Sequence, residues 1–176
     1  AAFNWPAVFT VWWAADDYFA VGQERSSSEI ISMVLNHGRP IAFIRSWLET
    51  NLFAISPPLA NFSLRWFQAI LHVEAASLIG FSLEKETRKS TAYLCVVPFL
   101  LWPLNGEAVY WIPALPYPLA AFISVLGATL LIDDARSNKK TLLGMLLIVI
   151  SVLTNQASCV AGLVLFLIVS LLRFEK

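Results

Sequence analysis

The chain alternates long apolar stretches with short polar connections. Ala1 to Ala15 is apolar and closes on Trp12 and Trp13, side chains that favour the headgroup level of a bilayer. Asp16 to Ser56 breaks the apolar pattern and holds two amphipathic pieces. Ser26-Ser27-Ser28-Glu29 has the spacing of a capping box. The helix it opens carries Ile30, Ile31, Val34 and Leu35 on one side and stops at Gly38. Beyond Pro40, the residues Ile41, Ile44, Trp47, Leu48 and Leu52 line one side of a second helix, with Arg45 and Glu49 a turn apart on the other. Both pieces are too short and too polar to span, and both predict helices lying along a membrane surface.

Ser56-Pro57-Pro58 predicts a new helix, with Ser56 as N-cap and Pro57 at the first position. It runs to about Leu83, enough to cross a hydrocarbon core of about 30 Å at about 1.5 Å per residue. At about 100° per residue, Asn61, Arg65, Gln68 and His72 fall in one narrow stripe, and Glu74 points away from Arg65. Lipid cannot satisfy such a stripe, so it must face protein or a water-filled cavity. It is either the lining of a site or a hydrogen-bonded seam between helices. Glu74 is either a partner to another span or a protonated acid.

Glu84 to Lys89 is a short charged loop, and Thr91 to Trp102 re-enters the apolar phase. Pro103 to Tyr110 turns, Trp111 to Ile132 returns, and Asp133 to Lys140 is a second charged loop. Thr141 to Leu172 is apolar except at Thr154-Asn155-Gln156-Ala157-Ser158. One straight helix of that length would reach about 48 Å, so a hairpin of two short spans is expected, with Asn155 and Gln156 at its tip; the alternative is a single tilted or kinked helix. The expected fold is an all-α polytopic transmembrane helical bundle of about six spans, with two amphipathic surface helices in the first outer loop. Residues 1–176 form a single transmembrane domain. Because the chain opens on Ala1 inside an apolar run, it is expected to be a fragment of a larger membrane protein with its first span clipped.

Composition strengthens this picture. Of the 176 residues, 58% are hydrophobic and only 14% charged, against about a quarter charged in a soluble domain. The formal net charge is zero, which argues against a polyanion, and so against nucleic acid, as a partner. Charge placement adds an orientation. Lys85, Arg88, Lys89, Arg136, Lys139, Lys140, Arg173 and Lys176 all lie in alternate connections or in the tail, which places those segments in the cytoplasm and the Asp16–Ser56 loop outside. Cys95 and Cys159 sit singly inside apolar runs, as small buried hydrophobes.

On the outward side stand Asp16-Asp17, the two surface helices and the mouth of the polar-striped span. A cavity there would collect Asp16, Asp17, Arg39, Arg65, Gln68, His72 and Gln156, with His37 either beside it or in the surface loop. A carboxylate can take the proton of an attacking hydroxyl, and an arginine can hold a phosphate leaving group with two hydrogen bonds. The bland alternatives are a helix cap for the aspartates and backbone satisfaction at a helix break for Asn155-Gln156. No zinc spacing, phosphate loop or nucleophile elbow occurs, so no metal or other cofactor is implied.

Trp13-Ala14-Ala15-Asp16-Asp17-Tyr18 closing a first span, followed by Asn36-His37-Gly38-Arg39-Pro40-Ile41 in a surface-helix loop, resembles the multi-span glycosyltransferases of the GT-C class. Ile55-Ser56-Pro57-Pro58-Leu59 is similar to the start of a span in the serotype-converting O-antigen glucosyltransferases of that class. So is the apolar hairpin broken at Asn155-Gln156-Ala157, where that family tends to have Tyr-Gln. These landmarks run from Asp16 to Ala161, most of this chain, and the resemblance implies that residues 1–176 are the N-terminal part of a larger membrane enzyme. The resemblance implies transfer of a hexose such as glucose from a polyprenyl-phosphate donor to a lipid-linked glycan of the cell envelope, the O-antigen of lipopolysaccharide. The reaction would take place on the periplasmic side of the bacterial inner membrane, without a nucleotide. Asp16 or Asp17 would activate the acceptor hydroxyl, with Asp17 favoured because Asp16 is better placed to cap. Arg39 and Arg65 are the candidates for the lipid phosphate. The alternative class is a transporter or flippase subunit whose polar stripe lines a translocation path, for which binding residues more often sit at broken helices near the midplane.

Overall fold

The computed structural model of the protein describes residues 28, 32, 51, 52, 54–101, 115–133 and 137–174. The first apolar run, Asp16, Asp17, His37, Arg39, most of both surface helices and the turn after Leu101 lie outside them. Ser28 and Ser32, in the first predicted surface helix, are helical and exposed. Five helices have defined bounds, and no strand occurs among the described residues. They are α1 (Pro57–Glu84), α2 (Lys89–Leu101), α3 (Pro116–Asp133), α4 (Asn138–Thr154) and α5 (Val160–Phe174).

The start of α1 follows from its sequence. Proline disfavours the helical conformation for the residue before it, and Ser56 is extended, with φ −162° and ψ 106°. Its carbonyl accepts from the Ala60 amide at 2.9 Å, so Ser56 caps the helix through its backbone, without a side-chain hydrogen bond. At the other end the last carbonyls of a helix lack intrahelical partners. Thr87 answers one of them, donating to the Leu83 carbonyl from both its amide and its hydroxyl at 2.8 Å. The chain then turns within four residues into α2, which lies back along α1. Ala92 and Val96 are buried one turn apart. Val96 reaches Gly80 so closely that a Cβ there would lie 3.0 Å from it.

Helix α3 is the centre of the assembly, and its contacts are made by small residues. Thr129 and Ser82 of α1 share a hydrogen bond at 3.2 Å. Gly127 crosses Gly144 of α4, where a Cβ on either would sit within 2.9 Å of the other's carbonyl oxygen. Ser151 of α4 donates to the Ala120 carbonyl at 2.8 Å. Gly162, in the first turn of α5, donates its amide to Ser124 Oγ at 3.1 Å. Small and hydroxyl residues at helix contacts allow close backbone approach without a hydrophobic driving force, as between helices in lipid. The predicted hairpin after Asp133 is present, but its arms do not rest mainly on each other; each packs on α3. The second charged loop is also shorter than expected. Asp133 closes α3, and Asn138, Lys139 and Lys140 form the first turn of α4 behind Ser137.

Two apolar clusters line the interior. Ala60, Leu64, Leu71 and Leu115 form one; Leu83, Ala92, Val125, Ala128, Ile132, Leu165 and Val169 form the other. Beyond the second cluster, one end of the bundle is ionic. Lys85 pairs with Asp133 at 2.5 Å, and Arg173 reaches Glu86 at 2.7 Å and the Ile132 carbonyl at 2.8 Å.

The outward faces of the last two helices are apolar. Helix α4 buries Gly144, Ser151 and Thr154 and exposes Leu142, Met145, Leu146, Val149 and Leu153. Helix α5 exposes Leu163, Val164, Leu167, Ile168 and Leu171. A water-soluble helix does the reverse. Among the described residues two helices, α1 from Pro58 and α3, are long and apolar enough to cross a membrane by length and composition.

Candidate functional site

The polar stripe of α1 is internal. Asn61 and Arg65 are each 2% exposed, Gln68 is fully buried and His72 is 6% exposed. Their spacing of four, three and four residues keeps them on one side over about 16 Å of helix, in the half of α1 away from the ionic end. Burying a guanidinium is costly unless its donors are engaged. Asn61 Oδ1 accepts from Arg65 Nε at 2.7 Å, one helical turn back, which ties the guanidinium to the stripe.

His72 sits at the inner limit of the stripe, where α2 closes over it. Its ring stacks on Phe99, with centroids 4.8 Å apart and planes 18° from parallel, and the Phe99 backbone lies within hydrogen-bond reach of the ring. Its Nε2 is buried and has no hydrogen-bond partner among the described residues. A buried imidazole nitrogen in that state is a place for a hydroxyl or a water. The stripe therefore offers three kinds of group in one buried row: a fixed cation, a side-chain amide and an imidazole nitrogen with free capacity.

The structure thus brings Arg65, Gln68 and His72 together, with Asn61 as the residue that orients the arginine. Gln156 is exposed in the turn between α4 and α5, while its neighbour Asn155 is buried. Asn155 leaves the helix with φ −158° and ψ 113°, and its Oδ1 accepts from the Ser158 amide at 3.1 Å. It satisfies backbone at the break, the plainer of the two readings of that tip. Asp16, Asp17, His37 and Arg39 lie outside the described residues. Phe99 is the contributor that sequence reasoning missed. It comes from a different helix, and an aromatic residue next to Pro98 in an apolar run carries no signal of a stacking partner. Among the described residues no group of three His, Cys, Asp or Glu side chains could hold a metal ion.

Comparison with protein-family models, with curated proteins and with solved structures gives no match for this chain.

Proposed function

We propose that the protein is a membrane glycosyltransferase of about six spans that moves a hexose from a polyprenyl-phosphate donor to a cell-envelope glycan. In this reading the ionic end is cytoplasmic and the Asp16–Ser56 loop is periplasmic, on the outer face of a bacterial inner membrane. The observation that carries the reading is the burial of Arg65, oriented by Asn61, in a row with Gln68 and His72 inside a long apolar helix. A guanidinium held at that depth suits an anion that arrives within the bilayer, as the phosphate of a polyprenyl donor does. The leucine-rich exteriors of α4 and α5 support the membrane setting.

The chemistry follows from these parts. The acceptor hydroxyl attacks the anomeric carbon of the donor sugar, and Asp17 or Asp16 takes its proton. The bond between that carbon and the phosphate oxygen breaks, and the charge left on the lipid phosphate is met by Arg65 and Arg39. His72 Nε2 and the Gln68 amide would hold sugar hydroxyls. Membranes carrying Asp16→Asn or Asp17→Asn, supplied with labelled polyprenyl-phospho-glucose and acceptor, should lose transfer for at least one position while inserting normally. Full transfer by both variants overturns the assignment.

A further inference from the structure

Helix α1 has one carboxyl group between its ends, Glu74, and that group is exposed. It makes no hydrogen bond or ion pair among the described residues. It stands 11 residues before Lys85, about 16 Å along the axis from the level where Lys85 and Asp133 pair. That is about half the thickness of a hydrocarbon core. Around it on the same side, Phe67 is 43%, Ile70 49% and Phe81 63% exposed. Ser77 is also there, but its hydroxyl is turned back onto the Val73 carbonyl at 2.8 Å. The face is therefore apolar apart from one carboxyl group.

Acyl chains offer that group nothing, and an ionisable side chain at such depth calls for a partner. The described residues do not supply one. Arg65 and His72 are buried on the other side of α1, and the remaining described basic residues lie at the ionic end or in the connections beside it. For the same reason the described part of a second copy has no cation to offer at this depth. The apolar stretches 1–15 and 102–114, outside the described residues, contain no lysine or arginine in sequence either, so charge complementarity favours a different protein. We propose that the face of α1 formed by Phe67, Ile70, Glu74 and Phe81 docks a spanning helix of another membrane protein, one that carries a lysine or arginine near the bilayer midplane. The cation meets Glu74, and the rings of Phe67 and Phe81 flank the contact about two turns to either side.

The inference rests on α1 crossing the bilayer, and one variant tests that step separately. In a chain with Cys95 and Cys159 replaced by alanine, a Ser77→Cys thiol should resist a water-soluble maleimide. Rapid labelling overturns the membrane placement of α1 and this inference with it. For the docking itself, the full chain is reconstituted in phosphatidylcholine vesicles with fluorescent polyleucine helices bearing a central lysine, glutamine or leucine. Energy transfer should report association with the lysine helix about tenfold tighter than with the leucine helix. Glu74→Leu should erase the difference while leaving the circular-dichroism melt in place, because the side chain is exposed. Equal binding of all three helices, or a lysine preference that survives Glu74→Leu, overturns the inference. So do disulfide-linked homodimers through Ser77→Cys that depend on Glu74, which would assign the face to a second copy.

Discussion

At Arg65 the fold and the proposed chemistry make separable demands. The hydrogen bond from Nε to Asn61 is a buried bond to a charged group, worth about 1.5–3 kcal/mol. Asn61→Ala should lower the unfolding free energy in detergent micelles by about that amount; an unchanged transition would mean that the pair contributes nothing. Arg65→Lys keeps the charge but loses the planar fork. It should raise the apparent KM for the polyprenyl-phosphate donor more than it lowers kcat, and an unaltered KM would remove Arg65 from the phosphate site. The stripe itself was legible, because the residues that form it share one helix and their spacing is that of a helical face. Phe99 was not, since its contact with His72 depends on how α2 folds back. Nor was the choice between Asn155 and Gln156. Neighbouring polar residues at a break look alike in sequence, and the extended backbone at Asn155 decides which one turns inward.

At the level of elements, local punctuation accounts for what could be read in advance. The bounds of α1 came within a residue of expectation, because Ser56-Pro57 forces a start and the charges after Leu83 force a stop. The first turn of α4 was hidden, since Asn138, Lys139 and Lys140 resemble a loop by composition while their backbone continues an apolar helix. The central role of α3 was hidden too. Its many small residues read as weakly apolar, and only their contacts reveal that they admit other backbones. The Gly127–Gly144 crossing gives a direct test. Gly127→Val must push the α4 carbonyl away or shift the whole crossing, an overpacking that costs about 1–3 kcal/mol. Thermal unfolding should move down accordingly, and a melting curve equal to that of the wild type would contradict the close approach. Gly162→Ala should be at least as damaging, because its Cβ would run into the Ser124 backbone.

Across the whole molecule, the alternation of basic connections foretold which helix ends meet. Lys85, Asp133, Glu86 and Arg173 come from three separate stretches and gather at one end. The Lys85–Asp133 pair is exposed on both sides, so Lys85→Ala should change stability by no more than about 1 kcal/mol; its value is in marking a level rather than in holding the bundle. Sidedness can be measured in a background lacking Cys95 and Cys159. Ser137→Cys and Gln156→Cys lie at opposite ends of α4 and should be labelled by an impermeant reagent from opposite sides of the membrane. Labelling of both from one side would overturn the map. The number of spans and the outer loop were argued from sequence alone, since residues 1–27 and 33–50 fall outside those described.

The way α4 and α5 straddle α3 also bears on how the protein is made. Helix α3 leaves the ribosome before either of them and is long and apolar enough, by length and composition, to cross a membrane. Helix α4 opens with two lysines, and α5, at 15 residues, covers only about 22 Å. Each presents a glycine or serine face that fits α3, so the pair is best recruited as a clip onto a helix already in place. Synthesis order therefore doubles as assembly order. A chain deleted for α3 should fail to integrate its last two helices, even though their own sequences are untouched.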